Sequence, residues 1–250
     1  MRAKKSLGQN FLMHSRIAER IALVSGVTPT DTAFEIGPGT GMLTRELLKL
    51  CKKVIALEAD QQLFEQLQTD FAHEIAEQRL ELLHGDIRTF APIQLPKGYA
   101  LVANIPYYLT GEIFRMFLET ENQPVSLTLL VQKEVAERIA RAKKESILSL
   151  SVKAYGTPKY EFTVPRGAFA PAPKVDSAVL TVRTISRANF SSKRQEELFF
   201  KLVRAGFAHK RKLVKSNLLE AGLQPGPAFE NVRAEDVPLS AWVTLAQVAV

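Results

Sequence analysis

The sequence predicts an α/β protein: an open, largely parallel sheet covered by helices on both faces, followed by a small all-helical C-terminal domain. Three observations predict it. Short apolar runs alternate with helical periodicities through the first two thirds of the chain, and a glycine-rich turn follows directly on the first strong run. Beyond about residue 184, Ser, Arg and Asn replace the apolar runs and every later segment has a helical pattern.

Taken in order, Ser15 can cap a helix whose apolar positions Ile17, Ile21 and Val24 share one face, and Gly26 ends it. Ala33 to Ile36 reads as a strand, Thr40 to Leu50 as a helix with Leu43, Leu47 and Leu50 inward, and Val54 to Leu57 as a second strand. These three make one βαβ unit. A helix around Leu63, Leu67 and Phe71 leads to strands at Leu80 to Leu83 and Tyr99 to Ala103. A helix at Glu112 to Leu118, a strand at Leu127 to Val131 and a helix at Gln132 to Arg141 come next. Ser149 to Ala154, Tyr160 to Val164 and Ala178 to Val182 read as later strands. The boundary is expected between residues 1–185, a catalytic domain, and 186–250, a helical one.

Composition narrows the function. A 46% apolar content suits a globular core, and no run approaches the roughly 18 apolar residues of a membrane span. The leader Met1 to Asn10 is basic without an apolar segment, so a cytoplasmic protein is expected. The lone Cys51 reads as a packing residue, and the four scattered histidines lack ligand spacing, so no metal is expected. A net charge of +7 suits a polyanionic partner. After residue 185 there are ten Lys and Arg against six Asp and Glu, and Leu198 to Leu219 carries no acid, which predicts a helical surface of one sign.

The chemistry gathers at strand ends. The run ending at Ile36 enters Gly37-Pro38-Gly39-Thr40-Gly41 and then a helix, so the glycines fall where the chain must turn tightly and admit a ligand. The third glycine follows the first by four residues; a dinucleotide fingerprint spaces them by five. The spacing therefore fits the loop of Rossmann-like S-adenosylmethionine-dependent methyltransferases better than a nicotinamide site. Glu58, ending the second strand, can accept hydrogen bonds from two ribose hydroxyls, and Asp86, after the third, can hold an adenine ring or simply cap a turn. Asn104-Ile105-Pro106-Tyr107 follows the fourth strand. An adenine amine is a poor nucleophile because its lone pair is delocalised into the ring. The Asn104 oxygen and a carbonyl at Pro106 could accept its two hydrogens while Tyr107 stacks on the base. Positioning then suffices, since a sulfonium donor is already activated.

These segments resemble the rRNA adenine N6,N6-dimethyltransferases. The resemblance runs through Lys5 to Leu12, Glu35 to Gly41, Glu58, Asn104 to Tyr107, Phe169 to Ser177 and Phe207 to Lys212, in order along almost the whole chain. It implies that Gln9, Asn10 and Leu12 close over S-adenosylmethionine, whereas composition reads this leader only as a basic tail. It implies that Phe169 stacks on the target adenine opposite Tyr107; periodicity alone reads a core aromatic. Lys210, Arg211 and Lys212 would grip RNA phosphates, unless they form an ordinary solvated face. The last two segments resemble the branch that dimethylates two adjacent adenosines near the 3′ end of small-subunit (16S) rRNA in the immature pre-30S particle, with a monomer expected. A large-subunit rRNA methylase of the macrolide-resistance type and an assembly factor with dispensable catalysis are the alternatives. Two departures from the family pattern are Tyr108, where a small polar residue is frequent, and Lys143 to Ile147, which lacks the usual Tyr-Gly pair.

Overall fold

A computed structural model describes residues 9–248, so the Lys5 to Gly8 part of the leader motif lies outside the described residues. The strands are β1 (Phe11–Leu12), β2 (Thr32–Ile36), β3 (Lys53–Glu58), β4 (Leu80–His84), β5 (Ala100–Asn104), β6 (Ser126–Gln132), β7 (Thr157–Val164), β8 (Phe169–Ala170) and β9 (Ser177–Arg183). Seven of them form one sheet in the order β4-β3-β2-β5-β6-β9-β7. β2 is parallel to β3 on one side and to β5 on the other, and β9 runs antiparallel to β6. The connection reverses direction between β2 and β5, which opens a crevice at their carboxyl ends.

Strand alternation divides the core in two. One face of the sheet carries Ala33, Val54, Ala56, Val102 and Leu130 against Ala18, Ile21 and Ala22 of α1 (Ser15–Ser25) and Leu47 of α2 (Met42–Leu50). On the other, Phe34 stacks on Phe90 at 5.1 Å between centroids and meets Tyr99 and Phe117 edge-on or tilted. Cys51 is buried, its thiol donating to the Leu47 carbonyl at 3.1 Å, and burial pushes its pKa up, as suits a packing residue. Asp60 caps α3 (Gln61–Asp70), accepting from the Gln62 and Leu63 amides at 3.0 and 3.4 Å. The remaining helices of this stretch are α4 (Ala72–Ala76), α5 (Thr110–Leu118) and α6 (Lys133–Ala140).

The chain divides into two compact units, Met1–Ala136 with Lys159–Ile185, and Glu137–Pro158 with Ser186–Val250. A single cut after residue 185 therefore omits the contribution of 137–158 to the second unit. Within that stretch Ser149 to Ala154 is not a strand: residues 147–153 form α7 (Ile147–Lys153). Leu148-Ser149-Leu150-Ser151-Val152 alternates like a strand, but Ser146 and Ser149 close a reciprocal capping box and Glu145 accepts from the Ser149 hydroxyl at 2.7 Å. The neighbouring loop has a structural task. Lys144 pairs with Glu235, and the Glu145 amide donates to the Glu235 carbonyl at 2.7 Å, fixing the entry to α7. The second unit is otherwise helical, with α8 (Lys193–Gly206), α9 (Val214–Glu220) and α10 (Leu239–Val248). Trp242, fully buried, packs there against Phe207 and Phe229.

Candidate active site

An open cleft lies at the carboxyl ends of β2, β3 and β5. Gln9, Asn10, Leu12, Gly37, Gly39, Glu58, Asp86, Asn104, Pro106 and Tyr107 all line it. Gly41 caps α2 directly beneath, at φ +74°. A Cβ on Gly41 would stand 2.4 Å from the Phe71 ring, and one on Gly39, at φ +61°, would stand 3.1 Å from Phe11. Those two positions need glycine on both conformational and steric grounds. A Cβ on Gly37 would meet nothing within 4 Å, so the turn presents bare backbone to the open cleft.

Glu58 is buried, and its two carboxylate oxygens accept from the Gly39 amide at 3.0 Å and the Asp60 amide at 2.9 Å. Burial raises its pKa while these amide hydrogen bonds oppose the rise. The carboxyl thus ties the glycine turn to β3 and keeps further lone pairs toward the cleft. Gln9 donates to Asp60 at 3.4 Å, bringing the leader onto the same corner. This bare-backbone turn beside buried acceptors fits the amino-acid and ribose portions of S-adenosylmethionine. Asp86 caps the short turn Ile87–Thr89 and is gripped by the Arg88 guanidinium, which lowers its pKa. The turn-capping reading is therefore realised, at a position that still lines the cleft.

Asn104 donates from Nδ2 to the Asn10 carbonyl at 3.3 Å. A carbonyl can only accept, so the amide must face it with nitrogen, which leaves Oδ1 as the acceptor for a ligand. The Pro106 carbonyl accepts from the Leu109 amide at 3.0 Å, leaving its second lone pair, and Ile105 lines the cleft beside it. The Tyr107 hydroxyl meets the Ser177 hydroxyl at 2.6 Å; burial pushes the phenol pKa up and Ser177 opposes the shift. Tyr108 is exposed at the mouth of the same cleft.

Phe169 is not brought to the cleft lining. β1 pairs antiparallel with β8, setting Leu12 opposite Phe169, and both are buried in the main apolar cluster. In this conformation Phe169 is the core aromatic that periodicity suggests. The basic trio also departs from expectation, since Lys210, Arg211 and Lys212 lie in the turn between α8 and α9 and not on a helix. Asn217 pins that turn, donating to the Gly206 carbonyl at 2.6 Å and the His209 carbonyl at 3.2 Å. Lys212 pairs with Glu220 and Lys215 with Glu230, so acids outside the acid-free stretch return in space. Sequence reasoning assigned no individual role to Glu35, Phe11, Arg88 or Ser177. Phe11, Glu35 and Ser177 lie in segments that carry the family resemblance, and Glu35 also stands out as an acid inside an apolar strand, whereas Arg88 carried no signal.

No group of three or more potential metal ligands occurs among the described residues, and no helix among them is long and apolar enough to cross a membrane. The strand order, the glycine turn and the strand-end acids at the switch point define a Rossmann-like S-adenosylmethionine-dependent methyltransferase. The family model described as ribosomal RNA adenine dimethylase matches residues 1–237. The chain belongs to that family, and it is an rRNA adenine dimethyltransferase. The ribosomal RNA small subunit methyltransferase A of Dehalococcoides mccartyi is 38% identical over 98% of this chain and 88% of its own. The Fusobacterium nucleatum protein of the same name is 36% identical over 98% and 97%. Among solved structures, the 23S rRNA methyltransferase ErmE superposes with a TM-score of 0.76 at 25% identity, covering 96% of this chain and 99% of its own. A dimethyladenosine transferase from Plasmodium falciparum shares the fold, with a TM-score of 0.80 at 23% identity over 94% and 95%.

Proposed function

We propose that the protein transfers methyl groups from S-adenosylmethionine to the N6 amines of two adjacent adenosines near the 3′ end of small-subunit (16S) rRNA, acting as a cytoplasmic monomer on the pre-30S particle. The single observation that supports the chemistry best is the amide orientation of Asn104, whose nitrogen is committed to the Asn10 carbonyl at 3.3 Å. Its oxygen is then fixed as an acceptor for an amine hydrogen. A backbone carbonyl of the Ile105-Pro106 pair accepts the other hydrogen, and Tyr107 stacks on the base. Held this way, the amine lone pair is turned out of conjugation and aimed along one direction. Bound S-adenosylmethionine supplies a methyl group on a positively charged sulfur, which needs no further activation. Gly37, Gly39 and Glu58 would hold it, together with Gln9, Asn10 and Leu12 from the leader and Asp86 after β4. Phe169 reaches the target base only if β8 shifts from its buried pairing. Lys210, Arg211 and Lys212 bind phosphates.

The choice of small-subunit rRNA is supported by the names and near-complete coverage of the relatives from D. mccartyi and F. nucleatum. The likeness to ErmE favours a second reading, large-subunit rRNA. Incubation with immature small subunits, naked 23S rRNA and labelled methyl donor separates them. Dimethyladenosine confined to two adjacent small-subunit positions is the expected product, and label confined to 23S rRNA would overturn the assignment. Asn104→Ala should abolish methylation while RNA affinity changes less than about threefold; equal loss of both, or preserved turnover, would refute its role.

A further inference from the structure

Tyr107 is held at both ends by groups belonging to different parts of the chain. Its backbone follows Pro106, at φ −56°, and the Thr110 hydroxyl donates to its carbonyl at 2.9 Å. At the far end of the ring, the phenol oxygen lies 2.6 Å from Ser177 Oγ, and Ser177 is wholly buried. Ser177 is itself immobilised: it opens β9 in register with Gln132 of β6. The preceding residue is tied twice, its Asp176 carbonyl accepting from the Lys133 amide at 3.0 Å and its carboxylate from the Arg166 amide at 2.9 Å. The hydroxyl that meets Tyr107 is thus part of the sheet and not of a loose loop.

A phenylalanine ring at position 107 would stack on a base equally well, so the phenol hydroxyl is not needed for stacking itself. Its use lies in anchoring the far end of the ring and so fixing the direction in which the ring axis points. A base resting on a ring whose tip is anchored is presented to the methyl donor at one place, which removes an ordering cost from the reactive complex. We infer that Ser177 is a positioning residue for adenine methylation, fixing the direction of the Tyr107 ring through the hydroxyl pair. This inference rests on the adenine-stacking role of Tyr107 given above, and it gives the end of the Phe169 to Ser177 segment a physical connection to the tetrapeptide.

The test uses the full chain with whichever rRNA the wild type methylates, so that a wrong substrate assignment appears in the wild type and a wrong inference appears only in the variants. Tyr107→Phe and Ser177→Ala should each lower kcat about fivefold to tenfold, the scale of one lost hydrogen bond in the reactive complex. Affinity for S-adenosylmethionine and the thermal midpoint should stay near wild type, which a merely structural role for Ser177 would not allow. The double variant should fall no further than the lower single, because both remove the same contact. Independent, multiplying losses would overturn the inference. So would an unchanged kcat in Tyr107→Phe, a variant that leaves no core cavity and so decides the matter even if Ser177→Ala folds poorly.

Discussion

At the scale of single residues, Glu35 combines legibility with surprise. It sits in β2 with 1% of its surface exposed, accepting from the Thr44 hydroxyl at 2.7 Å. Burial pushes its pKa up from 4.5 to about 8; the Thr44 hydrogen bond opposes this, and the Glu58 charge adds to it. The folded protein therefore holds a proton that the unfolded chain has released over that interval. The sign follows: the stabilisation is complete below pH 4.5 and is lost as pH rises toward 8, by at most about 1.4 kcal/mol per pH unit. Urea midpoints of the wild type should decline across this window, and Glu35→Gln, which keeps an acceptor for Thr44, should flatten the decline. Parallel curves would show that Glu35 does not carry the proton. Glu58 and Asn104 were legible because strand ends are legible. Ser177 was not, since its partner is 70 residues away and only the sheet register brings them together.

Elements were legible wherever a periodicity ran long enough to exclude its rival. The parallel strands β2 to β6 are near-continuous apolar runs between helices, and a buried parallel sheet imposes that composition. Ser149 to Ala154 reads as a strand because the five residues Leu148-Ser149-Leu150-Ser151-Val152 alternate apolar and polar, while the decisive capping box uses serine at both positions. The β1 and β8 ribbon, two residues in each strand, is too short to leave any pattern. Caps are a firmer guide, and α3 gives a case that can be measured. Asp60, 4% exposed, satisfies the Gln62 and Leu63 amides. Asp60→Ala should cost about 1–2 kcal/mol in urea unfolding. Asp60→Asn, which retains a capping oxygen, should recover most of that loss, and equal losses in both variants would show that the cap is not the source.

Across the whole molecule, the +7 charge says that a polyanion is welcome without saying where. The second unit answers with a turn rather than a helix face. Asn217 fixes the backbone of 206–209, and Lys210 and Arg211, which follow directly, are exposed. Lys212 is partly neutralised by Glu220, whose pKa it lowers in return. The three cations should therefore contribute unequally to RNA binding, a distinction that charge counting misses. Each phosphate contact contributes a slope of about 0.7–0.9 to the fall of log affinity with log salt. Replacing Lys210 and Arg211 together with alanine should reduce the measured slope by about 1.5 and leave kcat at saturating RNA within twofold of wild type. Lys212→Ala should change the slope by less than either single substitution, because its charge is already shared with Glu220 and neutralises less of a phosphate. The slope is the decisive quantity, since a folding defect lowers affinity at every salt concentration alike. An unchanged slope in the Lys210 and Arg211 double variant would make the turn an ordinary solvated face and move the phosphate contacts elsewhere on the surface.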